Sequence, residues 1–88
     1  MSAAEPKTLP EWKAYTETLS GEPLFAAARA ANTVSFVQTL QEEGYSAPEV
    51  HTIMVLFAKR FSAVGERPPG AGFYDYAKLA EEPLPVPV

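Results

Sequence analysis

The chain has 88 residues, no cysteine, and 7 Lys and Arg against 11 Asp and Glu, for a net charge of −4. One domain is expected at this length, near the size at which a single core is marginally stabilising without disulfides, metal or a partner subunit. The composition excludes a disulfide framework, a thiolate nucleophile and a sulfur metal site, and without a basic block to displace counterions it argues against duplex nucleic acid.

The first seven residues carry no apolar leader core, and the longest strongly apolar run, residues 53–58, is far short of a membrane span. Together with the missing cysteines, this reads as a soluble cytoplasmic protein with no membrane partner. Fourteen Ala against one Ile and one Asn suggest a GC-rich coding sequence, of bacterial or phage type.

Residues 1–7, small, polar and interrupted by Pro6, are expected to be disordered. A five-residue pattern then occurs twice, Thr8-Leu9-Pro10-Glu11-Trp12 and Ser46-Ala47-Pro48-Glu49-Val50. A hydroxyl that accepts from the N–H three residues on, a Glu that reaches back, and a Pro in the first turn make each a helix start.

The first helix is expected over residues 9–19, with Leu9, Trp12, Tyr15, Thr16 and Leu19 on one face and Gly21 beyond its end. The second spans residues 23–43, but its apolar side moves from Leu24, Ala27, Ala28 and Ala31 to Phe36, Val37 and Leu40 at Asn32-Thr33. One long helix with a distortion at Asn32 is the preferred form, and a break there is the alternative. The third, residues 47–64, follows the helical rhythm through Val50, Ile53, Met54, Phe57, Phe61 and Val64, and Gly65 caps it. Val55, Leu56 and Ala63 lie away from that stripe, so this helix is either central or contacts something else.

Residues 66–72 form a Pro-Gly loop, residues 73–82 a short fourth helix, and residues 83–88 an extended polyproline-type tail in which Pro alternates with Leu or Val. The expected fold is all-α: a compact three-to-four-helix domain over residues 8–82 with a disordered N-terminus and an extended Pro-rich tail.

Catalytic chemistry finds little to work with. His51 is the only histidine, and Glu49, two positions away, points to another side of the helix. Asp75 is the only Asp, and the pairs Glu42-Glu43 and Glu81-Glu82 read as solvated helix ends. Gly70 and Gly72 lack the lysine and hydroxyl of a phosphate loop. No catalytic, metal or cofactor-binding residue, and no cofactor, is assigned. A helix-turn-helix is disfavoured because the would-be recognition helix opens with Pro48, Glu49 and Val50 instead of basic side chains.

The candidate contact residues are therefore Val55, Leu56 and Ala63 on the third helix, Tyr74 in the aromatic turn, and Leu84 and Val86 in the tail. In the plainer reading of that turn, Phe73 and Tyr76 close the core and Tyr74 is exposed. The expected function is a non-enzymatic protein-interaction or assembly subunit that associates with itself as a homo-oligomer. The runner-up is a small acidic regulator or inhibitor of a larger enzyme or nucleic-acid-binding protein, and a DNA-binding factor stands third.

Overall fold

The computed structural model describes residues 6–70 and 72–88, and among them the chain is helical without strands. The helices are α1 (Leu9–Glu17), α2 (Gly21–Ala31), α3 (Val34–Glu42), α4 (Ala47–Val64) and α5 (Tyr76–Leu79). Residues 1–5, on which most of the expected N-terminal disorder falls, lie outside the described residues.

Both capping boxes form. Thr8 Oγ1 accepts from Glu11 N at 3.3 Å, and Glu11 Oε1 accepts from the N–H groups of Thr8 at 3.2 Å and Lys7 at 2.7 Å. Ser46 and Glu49 repeat the exchange at 3.3 and 2.8 Å at the start of α4. Orphan N–H groups at each helix start are thereby satisfied within one turn.

The long second helix of the sequence reading is two helices. Asn32 leaves helical geometry at φ −90°, ψ 50°, and the extended Thr33 caps α3 by accepting from Phe36 N at 3.2 Å. The alanine run favours continuing the helix, but a straight helix cannot turn both apolar sides toward one core. Breaking lets α2 bury Leu24, Ala28 and Ala31 while α3 buries Val37 and Leu40. Tertiary burial overrides local propensity here.

All four other helices pack against α4. Its buried residues include Ile53, Met54 and Phe57 on the main stripe, and also Thr52, Val55, Leu56 and Ala58 on other sides. Of the two alternatives for this helix, central or in contact with something else, Val55 and Leu56 follow the first: they are 0% and 7% exposed, so they are not free as contact residues. The covering comes from α1 and from the chain after the Pro-Gly loop, with Tyr76 and Leu79 of α5 buried and Leu84 and Val86 packed on the same core.

The fourth helix is one turn, not the ten residues expected, because the Tyr74 backbone is paired elsewhere, as described below. At the other end of α4, Gly65 takes a left-handed φ of 69°, and Glu66 N donates to Phe61 O at 3.0 Å. This αL termination reverses the chain and aims Glu66 at the start of α2.

Candidate interaction surface

The centre of the surface is a pairing between the α2–α3 break and the loop before α5. Asn32 Nδ2 donates to Tyr74 O at 2.8 Å, and Tyr74 N donates to Asn32 Oδ1 at 2.6 Å. The Asn side chain thus imitates a neighbouring strand and occupies both polar groups of one residue. Asn32 is itself buried, so the pair replaces the water its amide gives up on folding. Gly72 makes room for it, since an added Cβ would collide with the Asn32 amide.

Three rings continue from this anchor. Phe73 meets Tyr74 edge-on with centroids 5.1 Å apart, and Tyr74 meets His51 edge-on at 5.9 Å. Tyr76 points inward, donating from its hydroxyl to Ala28 O at 2.8 Å. Burial raises the Tyr76 phenol far above its ordinary range, with a smaller contribution from Tyr74, whose own phenol is raised by partial burial.

Phe73 remains outside, 56% exposed, the most exposed large apolar residue described. The plainer sequence reading holds for Tyr76, which closes the core, and is reversed for the other two: Phe73 faces solvent and Tyr74 is half-buried, with its backbone fixed on Asn32. Phe73 shares a shallow depression with Arg67, Pro68, Pro69 and Asp75. A second depression, lined by Phe25, Arg29 and Asn32, adjoins it through Pro69 and Gly70. An apolar ring that shares its depression with one arginine, with a second arginine in the adjoining depression, is a contact surface in composition, because arginine and aromatic residues are enriched where proteins meet.

The remaining sequence candidates scatter. Ala63 is exposed, beside half-buried Leu84 at the rim of a cleft between α1 and α4. Val86 is half-buried on α4, away from Phe73. Tyr74 alone belongs to the Phe73 surface. Asn32 and Gly72, which hold that surface, were not singled out as site residues. A lone Asn between two helical stretches signals a cap, and its partner 42 positions away has no local signature.

His51 Nε2 lies 3.1 Å from Glu82 Oε1, a contact between half-exposed groups. Neighbouring hydroxyls are engaged elsewhere: Thr52 donates to Pro48 O at 2.8 Å, and Ser46 caps α4. Among the described residues no three His, Asp or Glu side chains converge as a metal site would require, and no helix is long and apolar enough to cross a membrane. No family model matches the chain, and no curated protein or solved structure is detectably similar to it.

Proposed function

We propose that the chain is a non-enzymatic protein-interaction module whose contact surface is centred on Phe73. The observation that supports this reading is the exposed ring beside an anchored backbone. The Asn32–Tyr74 pair has already ordered that backbone, so little further conformational entropy is lost when a partner covers the ring. Arg67 and Arg29 supply charged and stacking contacts at the rim.

The burial of Val55 and Leu56 removes the α4 face as the reason to expect self-association, and a homo-oligomer in this reading forms through Phe73. Arg67 and Asp75 both line the depression of the ring and Arg29 lines the adjoining one, a rim of mixed sign. The surface therefore gives no support to the regulator that covers a basic protein. A cytoplasmic setting is part of the proposal, and the absence of cysteine is compatible with it.

The test compares the parent with Phe73→Ser by velocity sedimentation over a wide concentration range and by capture from lysate. The reading expects the parent to self-associate or to retain a partner, and Phe73→Ser to lose that while keeping parental helicity. A monomeric parent whose retained proteins match those of Phe73→Ser would overturn it.

A further inference from the structure

Residues 83–88 follow the seam between α1 and α4, which stays open as a cleft at one end. Leu84 borders it beside Leu56, Thr16 and Ala63, and Pro87 reaches the start of α1 beside Leu9. The segment thus runs back along α4 toward its N-terminus. Its side chains alternate: Pro83, Pro85 and Pro87 are exposed, whereas Leu84 and Val86 are half-buried against the core.

The backbone is read as well. Proline has no N–H, so between Pro85 and Pro87 the single donor is Val86 N, and it meets Thr52 Oγ1 at 3.0 Å. That oxygen belongs to a residue with no exposed surface, and its own proton goes to Pro48 O. The seam therefore holds an aliphatic side chain and an N–H of a segment that bends at Pro85 and Val86, where the sequence reading expected an extended chain.

We propose that the α1–α4 seam is a binding site for a peptide in which aliphatic residues alternate with proline, and that residues 83–88 are its displaceable intramolecular occupant. The stripe beneath the segment, Thr52, Leu56 and Ala63, has helical spacing on the side of α4 that the sequence leaves unpartnered. The segment contributes no helix of its own, and elements held by few hydrogen bonds and partial burial open locally before the whole domain does. Tethering gives the cis segment a high effective concentration, so a trans peptide competes only when the cis contacts are weakened. This inference is independent of the Phe73 surface.

The probe is a fluorescein-labelled peptide of sequence Glu-Pro-Leu-Pro-Val-Pro-Val, added to the full chain and to the full chain carrying Leu84→Ser and Val86→Ser together. Anisotropy should show saturable binding to the double variant and binding about tenfold or more weaker to the parent. Adding Thr52→Val to the double variant should weaken the peptide by about two- to tenfold, the worth of one neutral hydrogen bond. Absence of binding to a double variant with parental circular dichroism overturns the proposal. So does equal binding to both chains, equal binding of a peptide with Ser for Leu and Val, or a peptide-insensitive dimer of the double variant. If the double variant unfolds, native-state hydrogen exchange of the parent decides. A Val86 amide that exchanges by local opening, at least about tenfold faster than Phe57, supports displacement, and exchange at the Phe57 rate overturns it.

Discussion

The Glu66 carboxylate caps α2 from across the fold, each oxygen accepting from Gly21 N at 3.0 Å. The local cap is missing, because Ser20 makes no side-chain bond to the helix start. A negative group at this position complements the positive end of α2 and satisfies an orphan N–H. The cap also ties the end of α4 to the beginning of α2, since Glu66 directly follows the Gly65 turn.

Glu66→Ala should lower stability by about 0.5–2 kcal/mol, the usual worth of a lost N-cap. Glu66→Gln should cost less, because the amide oxygen still accepts while the charge is gone. Urea denaturation at low and high salt checks both, and the difference between the two variants should shrink with salt.

Gly72→Ala should disrupt the Asn32–Tyr74 pair, because the new methyl and the Asn32 amide claim the same space. The expected loss is about 1–3 kcal/mol, the cost of leaving a buried polar group poorly satisfied. The cycle with Asn32→Ala makes this specific: once the amide is gone, the added cost of Gly72→Ala should fall to a few tenths of that loss. Additive effects would show that Gly72 serves the loop in some other way.

The difference between what the sequence displayed and what it hid follows from range. Thr8 with Glu11, Ser46 with Glu49 and the Val50–Phe61 stripe are local patterns, and the structure follows them closely. Asn32 and Glu66 act on partners 42 and 45 positions away, where spacing carries no information. The choice for Val55 and Leu56 between a central helix and an outer contact stayed open for the same reason. A helix face is judged exposed when nothing adjacent in sequence covers it, and here the cover arrives more than twenty residues later with Leu79, Leu84 and Val86. The exposure of Phe73 was equally illegible, because it depends on Asn32 fixing the next residue.

Leu56→Glu should now unfold the domain instead of dissolving an assembly. At 7% exposure in the monomer, the carboxylate would be largely desolvated, and the cations that line the same cleft, Lys13, Lys59 and Arg60, would have to leave Glu17, Ala80 O and Leu19 O to reach it. Circular dichroism should show loss of helicity together with any loss of assembled mass. Phe57→Ala, which empties a fully buried site in contact range of Trp12 and Tyr76, should cost about 3–5 kcal/mol.

Tyr76 gives the alkaline limit of the fold. Burial raises its phenol above the ordinary value of 10.0, so the folded state holds this proton where the unfolded state releases it. A raised value means that the contribution is fully present below about pH 10 and is lost as pH rises from there toward the folded value. Stability should therefore fall on the alkaline side, because the unfolded chain binds fewer protons. Tyr76→Phe removes this slope along with the hydrogen bond to Ala28 O. The carbonyl is not orphaned, since it also accepts from Asn32 N at 3.1 Å, so the cost at neutral pH should be only about 0.5–1.5 kcal/mol. The parent and variant denaturation curves should converge between about pH 10 and 12, and a gap that stays constant over that range would mean that Tyr76 ionises in the folded state as freely as in water.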